Sequence, residues 1–149
     1  MTAPSKRHRA RVLALQALYE ADSSNHPPME VLQRLIAAQR IGEDSAEFAR
    51  NLLEGVLAQQ DEIDKSIAQA APAWPVEQLP PVDRNILRLA IREMLGDNGT
   101  PVRVVINEAV ELAKDFGSEN TAKFVNGVLG SIERHRDELM LKQPTVGRG

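Results

Sequence analysis

Residues 102–116 read Val102-Arg103-Val104-Val105-Ile106-Asn107-Glu108-Ala109-Val110-Glu111-Leu112-Ala113-Lys114-Asp115-Phe116, and Gly117 follows. Val102, Val105, Ile106, Ala109, Val110 and Ala113 recur three and four apart, which places them on one face of a helix. The valines and isoleucine alone would leave a strand open for 102–106. The spacing continues to Phe116, however, and a strand would have alternated, so the segment is read as helix. Upstream, Gly96-Asp97-Asn98-Gly99 marks a turn, Thr100 is placed as a cap and Pro101 as a first-turn proline. Gly117 stands where a helix stop is expected.

The same period runs through the rest of the chain. From Arg7 to Ala21, a stripe of Val12, Leu15, Leu18 and Tyr19 predicts a first helix. After the Asn25-His26-Pro27-Pro28 turn, a second helix carries Val31, Leu32, Leu35 and Ile36 and fades at Ile41-Gly42. Asp44, with Glu47 three residues on, is expected to cap a third, whose stripe is Phe48, Leu52, Leu53, Val56 and Leu57. Asp61 is expected to cap a shorter fourth around Ile63 and Ile67. Pro81 opens a helix with Val82, Ile86, Leu89, Ala90 and Met94. A last helix from about Thr121 to Glu133 carries Phe124, Val125, Val128, Leu129 and Ile132. The expectation is an all-α fold without internal repeats.

The proline-rich span Pro72-Ala73-Trp74-Pro75 to Leu79-Pro80-Pro81 divides the chain and is too short for a flexible linker. One domain over 1–141 is expected, with helical subdomains at about 6–72 and 80–138 packed together and a disordered tail at 142–149. At 149 residues a single core is large enough to need no staples. Cysteine is absent, which removes disulfides, thiolate metal sites and a thiol nucleophile together. No apolar run approaches the roughly 20 residues of a membrane helix, and Lys6-Arg7-His8-Arg9 replaces the apolar core of a secretory signal. A cytoplasmic protein is expected.

The residues that an enzyme would need do not assemble. His8, His26 and His135 lie apart, with no ligand at metal spacing. No glycine-rich phosphate loop and no nucleophile elbow is present. Glu108 and Glu111 could pair as carboxylates but read better as a solvated helix face. Asn107 and Asn126 lie within apolar runs and read as buried amides joining helices. No catalytic residue, metal or cofactor is therefore assigned.

Binding features are clearer. The formal net charge is -3, so contact with nucleic acid requires a local basic patch. Lys6, Arg7, Arg9 and Arg11 all precede the first acidic residue, Glu20. They form either a phosphate grip, for which the arginine fork is suited, or a solvated terminus. A second cluster is Lys114-Asp115-Phe116-Gly117-Ser118-Glu119-Asn120-Thr121-Ala122-Lys123. Phe116 either stacks on an unpaired base or closes the core as a last apolar turn, the commoner fate. Tyr19 poses the same choice. Lys123 and Asn120 could meet phosphate and base edge.

The segment Ile106–Gly117, followed by Lys123-Phe124-Val125-Asn126-Gly127-Val128-Leu129, closely resembles the C-terminal signature of the NusB family. Arg9-Ala10-Arg11 with Gln16-Ala17-Leu18-Tyr19 is similar to that family's first helix, and Arg84–Glu93 to its central one. The resemblance spans nearly the whole chain in order. It implies two packed helical bundles of about seven helices and a transcription antitermination factor, not an enzyme. It further implies binding of boxA RNA jointly with NusE, a small-subunit ribosomal protein, on RNA polymerase, with read-through of ribosomal RNA operons.

By matching positions, the resemblance implies Lys6, Arg7, Arg9, Arg11, Tyr19, Phe116, Asn120 and Lys123 as the RNA surface. It implies Asp83 and Arg84 as the protein-partner surface. His8 and Ala10 interrupt the arginine run, so the register of individual arginine contacts stays open. Asn120 stands where relatives are often acidic, which would remove a charge that repels RNA. Two rivals accompany this reading. NusB-like domains also precede the catalytic domain of some ribosomal-RNA cytosine methyltransferases, a reading disfavoured by the short stretch after Leu141. The other is a homodimeric scaffold in which the RNA face is used for self-association.

Overall fold

Ser5 opens the first helix: its hydroxyl accepts from the His8 N–H at 3.0 Å, a cap that the pattern of apolar residues does not reveal. The computed structural model describes residues 5–96 and 99–142, with side chains through residue 135. Helix α1 runs Lys6–Ser24, α2 Pro28–Gln39, α3 Glu43–Ala58 and α4 Gln60–Ala70. A 3-10 turn at Val76–Gln78 leads to α5 (Pro81–Leu95), α6 (Val102–Phe116) and α7 (Glu119–Lys142). Among the described residues there is no strand, so the fold is all-α, as the period predicted. Residues 102–106 are helical, which closes the strand alternative.

Several helix boundaries depart from expectation. The expected cap residues Asp44 and Asp61 sit inside the first turns of α3 and α4, and Gly42 and Gln59 hold the cap positions. Pro101, not Thr100, occupies the cap of α6. The last helix begins at Glu119, where the Ser118 hydroxyl accepts from the Thr121 N–H at 3.2 Å, and it continues to Lys142. The acidic residues still lie at the positive helix ends, so their charge was read correctly and only their position within the turn shifted. Asp97 and Asn98, the centre of the expected turn before α6, lie outside the described residues. So does the tail expected beyond Leu141, from residue 143 onward.

One hydrophobic cluster joins all seven helices. At its centre, α1 packs on α2 and α3 along one side and on α5 along another. This explains why Ala10, Leu13, Ala14, Leu15, Ala17 and Leu18 are all buried: a helix between two layers hides more than one narrow stripe. Helices α5, α6 and α7 form the second bundle. Helix α4 packs mainly against α7 and α5 and only thinly against α3. The proline segment is pinned by buried Val76 and Leu79.

Helix α5 carries Arg84, Arg88 and Arg92 at four-residue intervals, each tied to a different part of the chain. Arg84 reaches Asp22 of α1 at 3.0 Å, and Arg88 grips Asp64 of α4 with two bonds of 2.9 and 3.0 Å. Arg92 donates to Gln59, between α3 and α4, at 2.5 Å. The ladder ties α5 to α1, to α4 and to the α3–α4 junction.

Candidate nucleic-acid interface

The four N-terminal cations do not share one fate. Lys6 and Arg9 are exposed, with no ion pair to another described residue. Both line shallow clefts beside Asp44 at the start of α3. Arg7 is exposed but held: its guanidinium lies 4.8 Å from the Phe48 ring centre and donates to the Thr100 hydroxyl at 2.8 Å. Arg11 departs from expectation. It is 4% exposed and donates twice to Glu93, at 2.6 and 2.8 Å, and once to Glu108 at 3.1 Å. Burial works against its charge, but the bonds and fields of Glu93 and Glu108 outweigh burial and hold Arg11 above the ordinary arginine value. The donors of this guanidinium are thus engaged within the protein, by Glu93 and Glu108.

Glu108 likewise leaves its expected place on a solvated face. Its Oε1 lies 3.0 Å from His8 Nδ1 and accepts from Arg11, so it ties the arm to α6. Asn107 and Asn126, read as buried amides, border a groove between α6 and α7 on the side away from the core. Asn107 is exposed there, and so is Asn126.

At the other end of α1 the structure unites two residues the sequence could only treat separately. Tyr19 (47% exposed) and Phe116 (39% exposed) line one cleft, together with Leu15, Gln16, Leu35 and Val82. Phe116 therefore does not close the core. Gly117 lets the chain turn sharply after it, since a Cβ there would stand 2.6 Å from the Thr121 hydroxyl. Asn120 and Lys123 are exposed on the first turns of α7, which starts directly after this turn. The predicted RNA residues thus fall into two patches. Arg7 and Tyr19 are twelve positions apart on α1, about 18 Å along its axis at 1.5 Å per residue.

Of the two residues expected on a partner surface, Asp83 is buried and Arg84 is half-buried, its guanidinium engaged at the surface. Asp83 is buried and hydrogen-bonded to Thr121; burial pushes its carboxyl above the ordinary aspartate value, although that bond and its own backbone N–H oppose the rise. Arg84 donates to the Glu77 and Leu79 carbonyls, each at 3.2 Å, as well as to Asp22. Both residues join α5 to its neighbours. No group of three His, Asp or Glu among the described residues could hold a metal ion.

A family model described as the NusB family matches residues 8–134. The chain belongs to the NusB family. A transcription antitermination protein NusB of Chloroflexus aggregans is 48% identical over 130 residues, covering 86% of this chain and 87% of that protein. T. maritima NusB superposes with a TM-score of 0.81 at 33% identity, over 90% of this chain and 93% of that one. A crystal structure of the antitermination factors NusB and NusE in complex with dsRNA matches with a TM-score of 0.80 at 30% identity, over 87% of this chain and 97% of that one. The chain is thus a NusB transcription antitermination factor, a binding protein and not an enzyme. No described helix of this NusB chain is long and apolar enough to cross a membrane.

What sequence reasoning missed in this NusB chain is the polar interior: Arg11 with Glu93 and Glu108, and the arginine ladder of α5. The four-residue spacing of Arg84, Arg88 and Arg92 within an apolar helix was the available signal. Charged residues on a helix flanked by so much core need partners.

Proposed function

We propose that this chain binds boxA-type RNA jointly with NusE within a cytoplasmic RNA polymerase complex and promotes read-through of ribosomal RNA operons. The observation that carries the reading is the arrangement on α1. Exposed Lys6 and Arg9, beside Arg7 stacked on Phe48, supply cations at one end, and exposed Tyr19 with Phe116 supplies stacking surfaces at the other. Phosphate contacts and base stacking are the two devices that proteins use on unpaired RNA. Asn120 and Lys123 add an amide and a cation at the stacking end. The likeness to a NusB bound to NusE and RNA supports the same reading.

The test is a binding titration of boxA RNA against a scrambled RNA of equal length, with and without NusE. Preference for boxA, strengthened by NusE, is expected. Equal binding of the two RNAs would refute sequence-specific recognition. Sedimentation in the same samples distinguishes the homodimeric scaffold, which would dissociate on adding boxA RNA if the RNA face were occluded.

A further inference from the structure

We infer that the groove between α6 and α7 holds the sugar–phosphate backbone of RNA flanking the boxA-type element, whatever the sequence of that flank. The inference rests on the RNA-binding reading and adds a second contact to it. None of the residues that line the groove lines the aromatic cleft or the clefts beside the N-terminal cations. The groove has a volume of about 410 Å³.

Its lining carries four polar side chains that the fold leaves unused: Arg103 and Asn107 from α6, Asn126 and Arg134 from α7. All four are exposed, and none is hydrogen-bonded or ion-paired to another described residue. The arginines of α5 differ, since Arg84, Arg88 and Arg92 each grip another element. A free guanidinium makes paired bonds to phosphate oxygens. A side-chain amide donates to phosphate and accepts from a ribose hydroxyl.

Gly127 and Gly130 let a chain come close to the surface of α7. Gly127 has nothing within 4 Å of where a Cβ would stand, and Gly130 has only the Arg134 guanidinium, at 3.5 Å. Glycine within a helix costs stability, and no neighbour inside the fold requires it at 127. An external backbone lying against the helix gives it a use.

Charge and chemistry select the occupant. Two guanidinium groups face one lining carboxylate, Glu133, so the groove is positive in a chain of formal charge -3. Lys123 is exposed four residues before Gly127 and shares its face of α7, which continues the positive line toward Asn120. The groove thereby joins the stacking end of the proposed RNA surface. Ile106 is its one large apolar residue among those described, and no aromatic ring lines it. A partner helix would bury little apolar surface there, and a base would find no ring to stack on.

The test compares boxA RNA with the same RNA extended by oligouridine on its upstream or downstream side. Affinities are measured by fluorescence anisotropy with NusE present. The proteins are wild type, a double variant carrying Arg103→Ala and Arg134→Ala, and Gly127→Leu. In the wild type, extension on one side should raise affinity about tenfold and steepen the plot of log affinity against log salt by about 1.4, near 0.7 for each of two phosphates. An extension of mixed sequence should give the same gain. Both variants should bind boxA RNA alone as the wild type does, and keep at most about twofold of the gain. Thermal melts separate a blocked groove from a damaged fold: Gly127→Leu should melt no lower than wild type, because its Cβ meets open space. No gain from either extension, a gain that depends on the sequence of the extension, or a gain retained by the arginine variant would overturn the inference. So would weaker NusE binding with an unchanged gain, because the groove would then hold protein. Failure of the wild type to bind boxA RNA at all would instead sink the RNA-binding reading, and the role of the groove with it.

Discussion

Arg9 and Arg11 stand two residues apart on α1 and meet opposite surroundings, one in solvent and the other against Glu93 and Glu108. Removing one partner of a buried pair leaves an uncompensated charge, worth about 3–5 kcal/mol. Arg11→Ala is therefore expected to lower stability by about that much in chemical denaturation, whereas Arg9→Ala changes it by less than about 0.5 kcal/mol. Equal effects would return Arg11 to the surface. Asp83 supplies a second residue-level test. Because burial raises its folded pKa, ionised Asp83 opposes folding at neutral pH. That penalty fades as pH falls through the raised value toward about 3.9, the ordinary aspartate pKa. Asp83→Asn, which can keep an acceptor for Thr121, should be at least as stable as wild type at pH 7. Its advantage should shrink on acidification in thermal melts. A growing advantage at low pH would reverse the sign and exclude the burial account. Neither environment was legible locally, since Glu93 lies 82 positions from Arg11 and Thr121 lies on another helix.

Two mid-helix glycines separate what a helix wants from what its neighbours allow. Gly127 in α7 has nothing within 4 Å of where a Cβ would be, so Gly127→Ala is expected to stabilise by about 0.5–1 kcal/mol. Gly55 in α3 lies against Arg92, whose Nε would collide with an added Cβ. Gly55→Ala would displace that guanidinium from Gln59. A hydrogen bond to a charged group is worth about 1.5–3 kcal/mol, so the net change is a loss of roughly 1 kcal/mol. Urea unfolding of both variants checks the opposed signs, and stabilisation by both would remove the Arg92 constraint. Helices themselves were legible because apolar spacing of three and four recurs over long stretches. Their ends were less so at α3, α4 and α6, where Gly42, Gln59 and Pro101 took the cap positions without a side-chain bond. The partners of α4 were not legible at all: Ile63 and Ile67 announce a buried face but not which bundle buries it.

At the scale of the molecule, a chain of formal charge -3 must hold RNA through local groups of exposed cations rather than through its overall charge. Replacing Lys6, Arg9 and Lys123 together with alanine should flatten the plot of log affinity against log salt by about 2, near 0.7 for each phosphate of single-stranded RNA that is no longer neutralised. The melting temperature should hardly move, as all three are exposed. An unchanged slope would place the phosphates elsewhere. The sequence by itself determined the helical class, the succession of helices and the NusB kinship, because apolar period and the block from Ile106 to Leu129 are local properties of the chain. It also located the basic segment at Lys6–Arg11. Only the tertiary structure decided that Arg11 is interior while Lys6 and Arg9 stay in solvent, and that Asp83 is buried while Arg84 pairs with Asp22. It alone brought Tyr19 and Phe116, from opposite ends of the chain, into one cleft. Burial and pairing depend on which helices meet across the core, and the periodicity of one helix carries no information about its neighbour.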